Sequence, residues 1–251
     1  QHDSMMRHAA GLFFLLLLCC ASTSLDAQEK PAAPTPAEKP KPAPVDWGAI
    51  FKMHWQNRVR AFQEQNLVFQ NVVLLGDSIT EGFDVVKHFP GRRVLNRGIG
   101  ADVIGNNMPP NDPRGVLQRL DNSVFNCAAT DVFILIGIND LNSGRDVDGM
   151  EAGYRTLLQQ LRAHSPDLRI HVQSVLPTRG EHDRRNAPVR EFNTRLKRLA
   201  EEYKCTFIDL HALMSDSEGR LKAEFTNDGL HLTDAAYAVW REKVLETMHW
   251  K

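Results

Sequence analysis

The period of apolar positions changes along the chain in a regular way. Residues 71–76 (NVVLLG), 92–99 (RRVLNRGI), 131–138 (DVFILIGI), 169–177 (RIHVQSVLP) and 205–210 (CTFIDL) are short runs rich in β-branched and other apolar residues. They read as strands. Between and after them, residues 115–125, 149–164, 187–203 and about 234–248 carry apolar residues at helical spacing. Ahead of the first strand, residues 47–65 place Ile50, Phe51, Trp55, Val59 and Phe62 at helical intervals. That pattern predicts an amphipathic helix packed on the domain, with Trp47 and Trp55 in core or staple roles. Alternation of strand and helix predicts a parallel sheet with helices on both faces. Near-continuous apolar strands fit burial on both sides.

The first part of the chain follows other rules. Residues 11–21 (GLFFLLLLCCA) form an apolar run just after Arg7, too short to span a membrane comfortably. Residues 1–27 therefore read as a signal peptide ending near Ala27, and imply export to a periplasm or the exterior. The alternative is lipoprotein processing, with Cys19 or Cys20 acylated and the protein anchored to a membrane. Residues 28–46, rich in Pro, Ala, Lys and Glu, have no means of building a core and read as a disordered linker. Residues 47–251 remain as the folded domain.

The 251 residues are 42% hydrophobic and 24% charged, ordinary for a globular protein. Beyond residue 27, the 30 basic side chains less Arg7 balance the 31 acidic ones less Asp3 and Asp26. Nothing in that balance attracts nucleic acid or an anionic membrane in bulk. Cys127 and Cys205 precede the third and fifth strands. In the order 2-1-3-4-5, which is implied only by the family resemblance given below, two spacings of about 4.8 Å separate those strands. That exceeds disulfide reach, so free thiols are expected.

In a doubly wound sheet, ligands bind beyond the carboxyl ends of the strands, where strand order reverses. Reactive residues collect there. The first strand ends in Gly76-Asp77-Ser78, the second runs into NRGIGAD (96–102), and the third ends in GIND (137–140). Just ahead of the final helix, NDGLHLT places Asp228 three residues before His231. Ser78 alone is ambiguous between a nucleophile and a helix cap. Asp77 reads as a support for the turn or the helix end. Asn139 with Asp140, and the glycines at 98 and 100, each also have a simple reading as turn residues. GIGADV grazes the dinucleotide fingerprint, but Val103 stands in place of the third glycine and the motif follows the second strand. No Walker A loop is present, and His182 with Asp183 lacks a second ligand pair. No cofactor and no metal are expected.

The chain resembles the SGNH, or GDSL, family of serine hydrolases. GDSIT, the glycine of GIGAD, GIND and DGLH match the family's four blocks in order, over residues 70 to 247. Within the family it is most similar to the branch of the platelet-activating-factor acetylhydrolase catalytic subunits and bacterial acyl-esterases. The resemblance implies a three-layer α/β/α flavodoxin-like fold with a five-stranded parallel sheet, order 2-1-3-4-5. It implies Ser78 as nucleophile, His231 as base and Asp228 as the residue orienting it. It assigns the oxyanion donors to the backbone N–H groups of Ser78 and Gly100 and the amide of Asn139. Chemically the set is coherent: a serine hydroxyl needs a base, and the base needs a carboxylate to hold its tautomer.

Residues 177–188 (PTRGEHDRRNAP) follow the fourth strand, and Arg179, Arg184 and Arg185 are candidate contacts for an acidic substrate such as a uronate. Residues 106–115 (NNMPPNDPRG) read as a second rim element. The expected activity is an exported serine esterase removing short acyl groups, acetyl foremost, from carbohydrate. The alternatives are a short-chain lipid or lysophospholipid esterase, and an O-acyltransferase using the same triad.

Overall fold

The structure is a computed structural model and describes residues 45–66 and 71–251. The expected signal segment, Cys19, Cys20 and nearly all of the linker lie outside the described residues.

Strands β1 (Val72–Gly76), β2 (Val94–Gly98), β3 (Asp131–Leu135), β4 (Arg169–Gln173) and β5 (Thr206–Ile208) form one parallel sheet in the order β2-β1-β3-β4-β5. Every residue of β1 and β3 is buried, which is why both read as strands without polar alternation. The helices are α1 (Trp47–Gln65), α2 (Ser78–Glu81), α3 (Val85–His88), α4 (Ile138–Asn142), α5 (Val147–His164), α6 (Asn186–Glu202), α7 (Leu210–Met214) and α8 (Asp234–Thr247). The long helices bury one stripe each. Met150, Tyr154, Leu157 and Leu161 do so on α5, and Val189, Phe192, Leu196 and Leu199 on α6. On α8, Trp240 is fully buried and donates from Nε1 to Gln173 Oε1 of β4 at 2.6 Å.

Strands β1 and β3 are neighbours, but the chain leaves them in opposite directions, toward β2 and toward β4. That places the switch point between the loops that begin with Asp77 and with Ile136. The expected fold is the observed one.

Three local expectations differ from it. The strands are shorter than their apolar runs, because Ile136, Val175 and Leu176 are buried in the loops beyond the strand ends, and Ile138 in the first turn of α4, rather than in the ladder. Trp47 is 61% exposed; only Trp55, with Phe62 and Ile99, joins a small core of its own. Residues 115–125 form no continuous α-helix. A 3₁₀ turn, Val116–Gln118, and a π turn, Asp121–Phe125, are separated at Arg119. The apolar spacing was real, since Val116, Leu120 and Val124 are buried. The break comes from Arg119.

Arg119 is fully buried beneath the strand ends. Its Nε donates to Asp102 Oδ2 at 2.8 Å, and its Nη2 donates to the Gly76 carbonyl of β1 at 2.9 Å. Its Nη1 donates to the Arg97 carbonyl of β2 and to Ser123 Oγ, both at 2.9 Å. Asp102 Oδ1 accepts from Gly115 N at 2.6 Å. One guanidinium therefore ties β1, β2 and the loop after β2 together. Cys127, buried, and Cys205, half-buried, are both free thiols.

Arg119→Met removes the charge, leaves the Asp102 carboxylate buried without its partner and takes a side-chain donor from each of the Gly76 and Arg97 carbonyls. Urea unfolding at neutral pH should show a loss of about 3–5 kcal/mol. A loss below about 1 kcal/mol would mean that the strand ends do not depend on this pair.

Candidate active site

Each group at the site is delivered by a different strand end. After Gly76 the chain turns into α2, and Asp77 is its N-cap, with Oδ1 accepting from Ile79 N at 3.0 Å. The capping role thus falls to Asp77 rather than to Ser78. The Ser78 hydroxyl is left free, and its N–H has no acceptor among the described residues. Asn96 of β2 fixes α2 from the side: its amide donates to the carbonyls of Thr80, Glu81 and Phe83 at 2.7, 3.1 and 2.9 Å. Tyr237 of α8 donates to the Ile79 carbonyl at 2.8 Å. Gly98 allows the close approach, because a Cβ there would meet Glu81 N at 2.1 Å.

Ser78 Oγ lies 3.0 Å from His231 Nε2, and His231 Nδ1 lies 2.6 Å from Asp228 Oδ2. Asp228 Oδ1 accepts the backbone N–H groups of His231 and Leu230 at 2.8 and 2.9 Å. Burial works against ionisation of Asp228, but the bonds from the His231 ring and from these two N–H groups outweigh it. They hold the carboxyl well below the usual range. An ionised carboxylate only accepts. Nδ1 therefore carries the proton, and the lone pair of Nε2 faces the serine hydroxyl.

The loop bearing Asp228 and His231 is pinned to the segment after β4. Arg179 N donates to the Gly229 carbonyl at 2.8 Å. Gly229 has φ +86, and a Cβ there would lie 2.1 Å from the Arg179 carbonyl oxygen, so only glycine fits. This changes the expected part of Arg179. Its Nε donates to the Leu221 carbonyl and its Nη2 is paired with Asp216. The side chain is occupied by the 216–221 segment and is not a free rim contact. Arg184 is exposed and makes no ion pair among the described residues. With Arg185 it lines a cavity of about 530 Å³ that also touches Leu141 and Asn142.

Asn139 sits on the first turn of α4, and its Nδ2 donates to the Asp102 carbonyl at 3.0 Å. One amide hydrogen is fixed in that bond and the other remains available. The Gly100 assignment needs correction. The Gly100 N–H already donates to Glu81 Oε2 at 2.6 Å. The next residue is the open one. Ala101 has φ +60 in a turn closed by Asp102 N donating to the Ile99 carbonyl at 3.1 Å. The Ala101 N–H has no acceptor among the described residues. The glycines of NRGIGAD mark the turn in sequence, but a side-chain-bearing residue in the left-handed region leaves no such mark.

Three buried aspartates underlie the site. Burial pushes Asp77 and Asp140 up to about 7, and also raises Asp102 in spite of Arg119. Asp140 Oδ2 accepts from Ile104 N at 3.0 Å. Among the described residues no cluster of three or more His, Cys, Asp or Glu is arranged to hold a metal.

The fold and the Ser78–His231 pairing together define a class, the serine hydrolases built on a flavodoxin-like sheet. Comparison with known proteins is specific within it. The model of the GDSL-like lipase/acylhydrolase family matches residues 74–239, and the chain belongs to that family. The bovine platelet-activating factor acetylhydrolase IB subunit alpha1 is 26% identical over 212 residues, covering 80% of this chain and 84% of the relative. An N-acylneuraminate cytidylyltransferase of Escherichia coli O18:K1:H7 is 24% identical over 251 residues. That match covers 98% of this chain and spans only 56% of the relative's length. Two solved structures share the fold. A GDSL-like lipase from Bacteroides thetaiotaomicron VPI-5482 has a TM-score of 0.62 at 21% identity, covering 80% of this chain and 98% of that one. A catalytic mutant of an acetylxylan esterase from Geobacillus stearothermophilus has a TM-score of 0.57 at 20% identity, covering 73% and 96%.

The buried carboxyl of Asp77 gives a pH signature. Its value rises from 3.8 unfolded to about 7 folded. Between these the native state holds a proton that the unfolded chain has lost, so stability falls as pH rises from 4 to 7 and then levels. Asp77→Asn keeps an acceptor for Ile79 N and carries no such proton. Its Tm relative to the parent should climb by a few degrees over that interval. A difference that stays flat would show Asp77 to be ionised in the fold.

Proposed function

We propose that the protein is an exported serine esterase that removes short acyl groups, acetyl foremost, from carbohydrate through an acyl-enzyme on Ser78. The observation that carries this reading is the unbroken chain Ser78–His231–Asp228, at 3.0 and 2.6 Å.

In this reading Ser78 Oγ attacks the ester carbonyl carbon and passes its proton to His231 Nε2. Asp228 stabilises the imidazolium without taking the proton. The N–H groups of Ser78 and Ala101 and the free amide hydrogen of Asn139 receive the negative charge on the carbonyl oxygen. The C–O bond to the alcohol breaks, and the leaving alkoxide takes the proton from His231. Water then gives a proton to His231 Nε2 and attacks the acyl carbon; the bond from that carbon to Ser78 Oγ breaks, Oγ takes the proton back from His231, and the acid leaves.

The side chains of His231 and Asp228 are 50% and 52% exposed, which suits an acyl group displayed on a bulky polar alcohol. The unpaired Arg184, with Arg185, beside the helix that bears Asn139 suits an acidic sugar. The names of the similar proteins, an acetylxylan esterase and an N-acylneuraminate enzyme, point the same way. Export rests on the apolar run at 11–21.

A second reading, a short-chain phospholipid ester, is favoured by the exposed Trp47, Ile50 and Met53 on α1 and by the acetylhydrolase relative. The O-acyltransferase alternative predicts acyl transfer to an added sugar at the expense of free acid.

Ser78→Ala should abolish hydrolysis of p-nitrophenyl acetate, and Asp228→Asn should lower kcat by roughly 10³–10⁴. Asn139→Ala should lower kcat by about 10²–10³ with little change in KM. Unchanged turnover in Ser78→Ala would end the serine-esterase reading. A panel of acetylated xylo-oligosaccharide, O-acetylated N-acylneuraminate and acetyl phospholipid, with released acid and transfer product both measured, decides the substrate. Arg184→Ala should raise KM for the acidic sugar alone.

A further inference from the structure

Glu81 lies at the end of α2, three residues after Ser78, with its side chain directed to α1 and to the turn after β2. Its Oε2 accepts from Gly100 N at 2.6 Å. His54 Nε2 of α1 lies 3.1 Å from the same carboxylate. Arg58 Nε, one turn further along α1, lies 3.3 Å from Glu81 Oε1. Arg58 also donates from Nε and Nη2 to the Gly98 carbonyl at 3.2 and 2.8 Å. The turn is thus gripped at two backbone groups, a carbonyl by a guanidinium and an amide by a carboxylate.

We propose that Glu81 is a positioning residue for the oxyanion site: together with His54 and Arg58 it holds the Gly98–Gly100 backbone so that the free Ala101 N–H stays aimed at the acyl oxygen. The inference rests on the serine-esterase reading above and deepens it.

The direction of the Ala101 N–H is set by the peptide that joins Gly100 to Ala101. Gly100 has no Cβ to limit its rotation. Ala101 occupies the left-handed region that side-chain-bearing residues rarely adopt. The turn's own hydrogen bond, from Asp102 N to the Ile99 carbonyl, leaves that peptide to be held from outside. On its far side the Asp102 N–H bonds the Ile99 carbonyl, and Arg114 Nη1 donates to the Ala101 carbonyl at 3.3 Å. On its near side the Glu81 bond to Gly100 N is the anchor. A carboxylate beside a developing oxyanion would oppose it by like charge; Arg58, at 3.3 Å, offsets that charge.

The test measures kcat, KM and Tm on p-nitrophenyl acetate, with inhibition by a phenylboronic acid as a mimic of the tetrahedral state. Glu81→Ala should lower kcat by about 10- to 100-fold with KM within threefold, and weaken the boronic acid by a similar factor. Glu81→Gln, which keeps an acceptor for Gly100 N, should recover most of the turnover. A kcat for Glu81→Ala within threefold of the parent, or a loss carried wholly by KM, would overturn the proposal. Should the alanine variant fail to fold, His54→Ala decides. It removes lateral support of the carboxylate and leaves the Gly100 bond in place. A fall in kcat of about three- to tenfold at constant KM supports the role; an unchanged kcat overturns it. Ser78→Ala run alongside separates the two levels. If it is inactive while Glu81→Ala is not, only the positioning role fails. If it is active, the esterase reading fails with it.

Discussion

The buried pair of Arg119 and Asp102 is the constraint on which the site depends. Both side chains are fully out of water, a position that costs several kcal/mol per ion unless hydrogen bonds satisfy each charge. Here they do. Arg119 gives its remaining donors to Gly76 O, Arg97 O and Ser123 Oγ, and Asp102 takes the Gly115 N–H. Gly76 O belongs to the strand that leads to Ser78. Arg97 O belongs to the strand that leads to the Ala101 turn. The backbone of Asp102 itself closes that turn and accepts from Asn139. The same two residues therefore set the relative positions of three strand ends whose groups must meet within ångströms.

The remaining catalytic elements reach this frame by separate routes. The loop of Asp228 and His231 is sequence-distant from Ser78, and is located by the Arg179–Gly229 backbone bond and by the start of α8. Tyr237, one turn into α8, returns to the Ile79 carbonyl. Nucleophile and base are thus registered twice, through the sheet and through the last helix. Such redundancy matters, since a small misplacement of reacting groups is costly in rate.

The strands and the polar motifs at their ends were legible because each rests on a local signal, while the sheet order and the residues' roles came from the family resemblance. Apolar runs mark strands, and short polar motifs at their ends mark the crevice. Ser78, Asn139, Asp228 and His231 were found in that way. What escaped depends on contacts between distant segments. Residues 115–125 carry helical spacing, yet Arg119 must turn inward to reach two strand carbonyls, and periodicity does not register a buried guanidinium. Arg179 looks like a free cation in sequence because Asp216, its partner, is far along the chain. Gly100 came from the family resemblance, whereas which N–H the turn leaves unpaired depends on Glu81, which takes the Gly100 N–H.

The family match opens at residue 74, whereas α1 ends at Gln65. His54 and Arg58 thus reach the turn from outside the matched span. The helix supplies more than packing, since Arg58 meets both the Gly98 carbonyl and Glu81. The brace on the turn therefore starts outside the segment that the family model matches. A relative trimmed to that segment would inherit the nucleophile and its base without this brace. In this protein the N-terminal helix is a tuning element, through which sequence change far from the four blocks can adjust turnover while leaving every catalytic residue in place.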